Sequence, residues 1–467
     1  MTAQGEGEAA PAVPPVRVGQ EIRVPVTGLS SAGDGVARCH GLAVFVPFAI
    51  PGELVAARVT AVARSYARAR LVEVLEASPH RVAPPCPVYH RCGGCQLQHV
   101  EYAAQLELKR RTLEDALARI GRVSCPVPPT LEAPSPWHYR SKLQSPVRTH
   151  PTRPGRLAGG CFAPFSHRLV PADSCLIQHP QNNRLLRAAL EAAAEAGVPP
   201  YREEDGSGVL RHVVGRVAAA TGRVLAGLVT NGPMLPGAGR VVARLRKRVP
   251  GLVGVVQNLN PRRTNVILGP SQRVLWGEGW IDDRLGGLSF RVSLASFFQV
   301  NPAQAERLFA CALKLAGLQG GETVLDVYCG TGALGLLAAG AARRVVGVES
   351  EPSAVEDARR NAAINGVANL ELLAGEAERV LPALARSGFS AQVAFLDPPR
   401  QGCRPEALAA LAHIAPRRVV YISCSPATFA RDIGLMGAAG YRPVLARPVD
   451  MFPQTCHVEC VALLERA

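Results

Sequence analysis

From Val16 to about Ala77, short apolar–polar alternations are separated by turn residues at Gly33-Asp34-Gly35, Gly41 and Pro51-Gly52. That pattern predicts brief strands curled into a small barrel. Glu101 to Ile120 carries many charges around an apolar stripe and predicts an amphipathic helix. Residues 130–295 mix strand-like runs, near 137–148, 212–230, 252–259 and 288–300, with an alanine-rich helix over Asn182–Ala196. This reads as an α+β region with antiparallel strands. From Ala303 the rhythm changes. A helix with Leu308, Ala312 and Leu315 on one face is followed by β-branched runs at 323–329, 345–350, 370–375, 393–399 and 419–423, each leading into a helical pattern. Two further strands, 441–452 and 457–466, close the chain. Strict alternation of this kind predicts an α/β, doubly wound parallel sheet, here with a terminal antiparallel hairpin. Residues 1–15 are small and proline-rich and predict a disordered tail.

At 467 residues the chain has room for two to four domains. Its 52 Lys and Arg against 37 Asp and Glu give a net charge of +15. That excess points to a polyanionic partner, nucleic acid before an anionic membrane surface. Part of it reflects an Arg- and Ala-rich composition of high-GC type. Aromatics are 5%, so base-stacking platforms are few and local. Arg58, Arg64, Arg68 and Arg70 cluster near the end of the barrel, either as a solvated strand face or as a nucleic-acid-facing one. The first twenty residues hold no apolar signal segment, and no stretch reaches the length of a membrane span, so a cytoplasmic protein is expected. Thirteen cysteines are then read as metal ligands, catalytic groups or buried residues rather than disulfides.

Cys86, Cys92 and Cys95 stand at C-x5-C-x2-C spacing with Gly93-Gly94 between the last two. Three clustered thiols need a fourth ligand to close a metal-thiolate site. Cys175 is the best candidate, with Cys125 and Cys161 as rivals, and spacing does not decide between zinc and an iron–sulfur cluster. Gly330, Gly332 and Gly335 form a G-x-G-x-x-G that follows a strand and opens a helix, and Glu349 ends the next strand. Such a loop lets a nucleoside approach the backbone while the acid accepts the ribose hydroxyls. Asp326, ahead of the glycines, suits an ammonium group. Asp397-Pro398-Pro399-Arg400 closes a later strand; Arg400 suits a phosphate or a base carbonyl better than a stacking role. Together these favour S-adenosylmethionine over a nicotinamide dinucleotide. Cys424 ends the strand Val419–Ser423 just before a helix, at the sheet edge where ligands bind. An inert buried thiol is the commoner fate of such a residue, but a helix N-terminus favours thiolate. Glu459 opens the last strand at the same edge, where a lone carboxylate is expensive unless used. A cysteine that adds to carbon 6 of a pyrimidine, and a base that then removes the carbon-5 proton, make a methylation at carbon 5 feasible.

These residues resemble the bacterial RNA (uracil-5-)-methyltransferases, in the iron–sulfur branch with an N-terminal TRAM barrel. The motifs are CPVYHRCGGC, SFFQVN, LDVYCGTG, FLDPPRQG, VYISCSPATFARD and MFPQTCHVE. The resemblance spans nearly the whole chain from Val16. It implies a tail over 1–15, a TRAM barrel over 16–77 that binds RNA, a cluster-bearing central domain over 78–295 and a Rossmann-like class I methyltransferase domain over 296–467. It further implies a [4Fe–4S] cluster on Cys86, Cys92, Cys95 and Cys175, and donor contacts from Gln299, Tyr328, Gly330, Glu349 and Asp397. Cys424 is implied as nucleophile, Glu459 as general base, and Phe297 as a shaper of the substrate pocket. The implied partner is RNA, 23S ribosomal RNA before the T-loop of transfer RNA, with no obligate protein partner. Ser425 departs from the asparagine common at that turn, and Ala333 from an amide that touches the donor in some relatives. A radical enzyme needs C-x3-C-x2-C, and a cytosine-5 enzyme needs a cysteine directly after Pro-Pro, which Cys403 is not. A non-catalytic RNA-binding protein leaves Asp397, Cys424 and Glu459 without a purpose.

Overall fold

A computed structural model describes residues 15–467; the tail expected over 1–15 lies, apart from Pro15, outside the described residues. The chain forms two compact units. One holds residues up to 85 with 95–108 and 454–456, the other residues 86–94, 109–453 and 457–467.

In the first unit, β1 (Glu21–Leu29), β2 (Gly35–Cys39), β3 (Leu42–Val46), β4 (Leu54–Val62) and β5 (Tyr66–Glu76) close into a barrel of order β1-β2-β3-β5-β4. Alternation drives it: Ile22, Val24 and Val26 of β1 are buried between exposed neighbours and meet Val44, Val55 and Val59 inside. Of the arginines near its end, Arg58 pairs with Glu21 and Arg68 with Asp34. Among the described residues no carboxylate stands within ion-pair distance of Arg64 or Arg70.

The chain continues through α1 (Tyr102–Ala116) into the second unit. There β6 (Lys142–Thr149), β7 (Leu157–Phe162), β8 (Leu169–Pro171), α2 (Pro180–Glu195), β9 (Leu210–Val217), β10 (Val224–Thr230), α3 (Ala238–Arg248), β11 (Leu252–Leu259) and β12 (Ser271–Gly277) build a seven-stranded sheet of order β12-β11-β10-β9-β6-β7-β8. The all-antiparallel expectation needs one correction: β10 and β11 run parallel. The crossover that permits this is α3, which sequence reading missed. It buries only Val241, Val242 and Leu245. A hairpin, β13 (Trp280–Leu285) with β14 (Leu288–Ser293), follows.

The last part is the alternation read from sequence. It runs α4 (Pro302–Ala316), β15 (Thr323–Val327), α5 (Ala333–Ala339), β16 (Arg344–Glu349), α6 (Pro352–Ile364), β17 (Leu370–Ala374), α7 (Ala377–Arg386), β18 (Val393–Leu396), α8 (Pro405–Ile414), β19 (Arg418–Ser423), α9 (Pro426–Ala438), β20 (Tyr441–Val449) and β21 (Glu459–Arg466). The strand order is β17-β16-β15-β18-β19-β21-β20. β15 to β19 are parallel, and β21 lies antiparallel between β19 and β20. Strands buried on both faces explain the unbroken apolar runs, such as Val419–Ile422. The chain reverses its winding between β15 and β18, so a crevice opens at their carboxyl ends. No helix among the described residues is long and apolar enough to cross a membrane.

Candidate active site

One cavity of about 1330 Å³ sits at that crevice. Gln299, Tyr328, Gly330, Glu349, Asp397, Cys424 and Glu459, each singled out from sequence, all line it, as do Phe297, Asp326, Arg400 and His457. The topology accounts for this. Tyr328 follows β15, Asp397 follows β18 and Cys424 follows β19, all at carboxyl ends. β21 is antiparallel to β19 with Ser423 opposite Cys460. Cys424 and Glu459 are the next residues beyond that pair, and the Glu459 charge acts on Cys424, so the reversed last strand delivers its first residue to the edge where the others deliver their last.

The glycine loop is built for close approach. Gly330 and Gly332 adopt φ of 55° and 81°, and Tyr328, a non-glycine, is held at 65°. For an aromatic residue that is a strained conformation of the kind found at functional sites. A Cβ at Gly335 would lie 2.7 Å from Asp326 Oδ2. The Glu349 carboxylate accepts hydrogen bonds from the Gly330 N–H at 2.9 Å and the Glu351 N–H at 2.8 Å. Those amides fix its orientation and leave lone pairs for a diol.

Cys424 is positioned by its flanks. Ser425 caps α9, accepting from the Thr428 N–H, with Pro426 in the first turn. The departure at residue 425 thus keeps a capping oxygen. Thr428 Oγ1 donates to the Arg400 carbonyl at 3.1 Å, joining this turn to the Asp397–Arg400 loop. Behind it, buried Asp432 accepts from the Tyr421 hydroxyl at 2.6 Å, the Cys403 N–H at 2.8 Å and Arg431 Nε at 2.8 Å. Cys403 is therefore buried in the scaffold and does not line the cavity.

The cavity lining is acidic, and its Asp326 and Glu459 are buried. Burial, then Asp397, pushes Asp326 up to about 8, with the Gly335 amide acting the other way. Burial pushes Asp397 up to about 7. Burial, then Asp397, pushes Glu459 up to about 8, against the pull of Arg400. Burial, then Glu459 and Asp397, also raises the Cys424 thiol, with Arg400 opposing. The expectation that the helix terminus would favour thiolate is thus overturned in the free protein: two carboxylates and desolvation outweigh one capped helix end. His457 is held below its ordinary value by burial and by Arg400, Lys109 and Arg140. Acids raised this far by burial gain their charged form when a ligand brings positive charge beside them, as the ammonium and sulfonium of S-adenosylmethionine do.

The cysteine patch is less complete. The Cys161 thiol hydrogen-bonds Cys92, which lowers Cys92 to about 6 and raises Cys161. Burial raises Cys86 and Cys175, and nearby Cys92 adds to both. Four thiols of the second unit thus share a neighbourhood, and Cys161 stands in it beside the expected Cys86, Cys92 and Cys175. Cys95 belongs to the first unit. Among the described residues no three donors are gathered as a metal ion requires. The donors have the right chemistry, but they do not form a closed site.

The sheet order and the acidic, glycine-looped crevice define a Rossmann-like methyltransferase fold. Residues 280–467 match the tRNA (Uracil-5-)-methyltransferase family, and residues 15–72 match the TRAM domain. The chain is 44% identical to an RNA methyltransferase of Halalkalibacterium halodurans over 97% of its own length and 98% of that protein. It is also 44% identical to one of Caldanaerobacter subterraneus over 97% and 99%. The structure is similar to that of Pyrococcus abyssi tRNA (uracil-54, C5)-methyltransferase in complex with S-adenosyl-L-homocysteine, with a TM-score of 0.75 and 28% identity, covering 95% of this chain and 100% of that one. The chain belongs to the RNA (uracil-5-)-methyltransferase family, with an N-terminal TRAM barrel.

Proposed function

We propose that this enzyme methylates carbon 5 of one specific uridine in 23S ribosomal RNA, with Cys424 as nucleophile and Glu459 as general base. The observation that carries the proposal is the adjoining placement of Cys424 and Glu459 in the cavity that also holds Asp326, Glu349 and Asp397. Carbon 5 of uracil is a poor nucleophile. Addition of Cys424 Sγ to carbon 6 makes an enolate, and carbon 5 then has the electron pair it needs. S-adenosylmethionine, when bound, would supply an electrophilic methyl group to carbon 5, its S–CH3 bond breaking to leave S-adenosylhomocysteine. Glu459 removes the carbon-5 proton, and expulsion of Cys424 Sγ restores the ring. Gln299, Tyr328, Gly330, Glu349 and Asp397 hold the donor, the Glu349 carboxylate at its ribose and the buried acids at its positive end. Arg400 tempers both Cys424 and Glu459.

The cluster reading is part of the same proposal. A [4Fe–4S] cluster on Cys86, Cys92, Cys95 and Cys175 is supported by the C-x5-C-x2-C spacing and by the neighbourhood that three of these thiols share. Its role would be folding and RNA docking. Iron and sulfide content with a visible spectrum after anaerobic purification tests it, and zinc or no metal refutes it. Transfer RNA is a second substrate reading, favoured by the likeness to the Pyrococcus abyssi enzyme. Mapping 5-methyluridine in ribosomal and transfer RNA from cells lacking the protein decides between them. Loss at one position of 23S ribosomal RNA supports our reading; loss in transfer RNA alone overturns it.

A further inference from the structure

Four arginines line the cavity: Arg262, Arg379, Arg400 and Arg404. Two are paired with carboxylates, Arg379 with Glu376 at 3.1 Å and Arg404 with Glu378 at 3.7 Å. Among the described residues, Arg262 and Arg400 have no carboxylate within ion-pair distance. Arg400 faces the reacting groups. Arg262 comes from another part of the fold, the loop 260–270 between β11 and β12, which lines the cavity again through Leu268, Gly269 and Pro270.

This loop is held unusually firmly for an exposed segment. Arg211 of β9 is 4% exposed, and its Nη1 donates to the carbonyls of Asn260 and Arg262, both at 2.7 Å. Its guanidinium lies 4.3 Å from the Tyr201 ring centre. The buried Asn260 amide donates to Val266 O at 2.6 Å and Ile267 O at 3.0 Å, and Asn260 Oδ1 accepts from the Arg262 N–H at 3.3 Å. Arg263 is tied to the Asp205 carbonyl at 2.6 Å. Arg262 alone of this pair keeps its guanidinium uncommitted, on a backbone that a buried cation fixes at its own carbonyl.

The charge arrangement gives that residue a purpose. Glu349, Glu351 and Glu406 also line the cavity and repel a polyanion, so an RNA chain entering it has to be gripped by cations on the walls. We propose that Arg262 contacts a backbone phosphate of the RNA substrate, and that Arg211 is the positioning residue that holds it at the cavity wall. The proposal rests on the reading of this site as an RNA methyltransferase centre, and it gives the central sheet a direct part in substrate binding.

The test uses the full-length protein and unmodified in-vitro transcripts of 23S ribosomal RNA and transfer RNA, taking whichever the wild type binds. RNA affinity is measured from 0.05 to 0.3 M salt, and S-adenosylhomocysteine affinity by calorimetry. Arg262→Ala is expected to weaken RNA binding about fivefold and to flatten the slope of log affinity on log salt by ~0.7–0.9, the release of one counterion. Arg262→Lys keeps the slope, and S-adenosylhomocysteine binds as before. Arg211→Lys weakens RNA binding in the wild-type background but adds nothing to Arg262→Ala. Unchanged RNA affinity and slope in Arg262→Ala overturns the proposal, as does a loss confined to S-adenosylhomocysteine. Additive losses remove Arg211 from it. A wild type that binds RNA with an Arg262-dependent slope yet methylates no uridine leaves this contact standing and removes the reaction assigned to the site.

Discussion

Replacing Glu459 by glutamine keeps the shape of the side chain and deletes the carboxylate proposed as the base. The side chain is buried on the last strand and lines the same cavity as Cys424. Removal of a positioned general base costs about 10²–10⁴ in rate, so adduct breakdown in Glu459→Gln should slow by at least about a hundredfold. The earlier addition through Cys424 remains, so a protein–RNA species stable to denaturing electrophoresis should accumulate toward one RNA per protein. The pH dependence adds a second check. A base has to be ionised, and Glu459 is pushed from an ordinary 4.5 up to about 8 by burial and by Asp397. Adduct decay in the wild type should therefore quicken as pH rises, with an apparent pKa above 4.5 and at or below about 8. A cation held on Asp397 removes part of the upward push and moves the value down. In Glu459→Gln the slope should vanish. Decay at the wild-type rate in Glu459→Gln, or an unchanged pH slope, refutes Glu459 as the base.

Cys424→Ala should give no adduct and no detectable turnover while S-adenosylhomocysteine affinity stays within about twofold, because the nucleophile sits outside the loop that holds the donor; calorimetry and gel shift together check both halves. Asp432→Ala should cost roughly 3 kcal/mol in chemical denaturation, since it strands the buried Tyr421 hydroxyl and the Cys403 amide; a loss below 1 kcal/mol counts against the network. Asp326, Asp397 and Glu459 keep protons up to pH 7–8 in the folded chain, whereas the unfolded chain releases them near pH 4. The folded state then binds more protons, so stability should fall as pH rises from about 4 to 8. A denaturation midpoint that is flat or rising across that range contradicts the buried-acid description.

The alternation that defines the methyltransferase sheet was legible because parallel strands buried on both faces leave continuous apolar runs, and helices between them keep the 3.6-residue period. That the candidate site residues gather in one cavity was legible for a related reason. Each stands where such a run stops, at Val327-Tyr328, Leu396-Asp397 or Ser423-Cys424, and function concentrates at those ends. What stayed hidden depended on contacts remote in sequence. Arg211 and Arg216 were not singled out from sequence, yet both are 4% exposed. Arg216 Nε donates to Leu294 O, 78 residues away, and its Nη2 to Ser296 O. Ser296 Oγ in turn donates to Asp357 at 2.5 Å. That chain of bonds fixes the segment carrying Phe297 and Gln299. No local pattern announces a guanidinium whose partners are carbonyls of two other loops. The α3 crossover was missed because three apolar residues among arginines make a weak stripe, although packing against the sheet needs no more.

The reversal at Cys424 connects these points. A helix N-terminus is visible in sequence and lowers a thiol pKa, but its effect is confined to the first turn and is partly spent on Ser425 and Thr428. Burial and the approach of Glu459 and Asp397 come from β21 and β18, and both act the other way. The same Asp397 also raises Asp326 and Glu459. One carboxylate therefore acts on the proposed nucleophile, the proposed base and the acid below the glycine loop. A cation bound beside Asp397 shifts all three downward together, toward the ionised forms that addition and proton removal need. An anion held by Arg400 does the opposite, by weakening the pull that Arg400 exerts on Cys424 and Glu459. Gripping the RNA backbone at Arg262, away from Arg400, is thus the electrostatically cheaper arrangement, since it anchors the chain without silencing the cysteine.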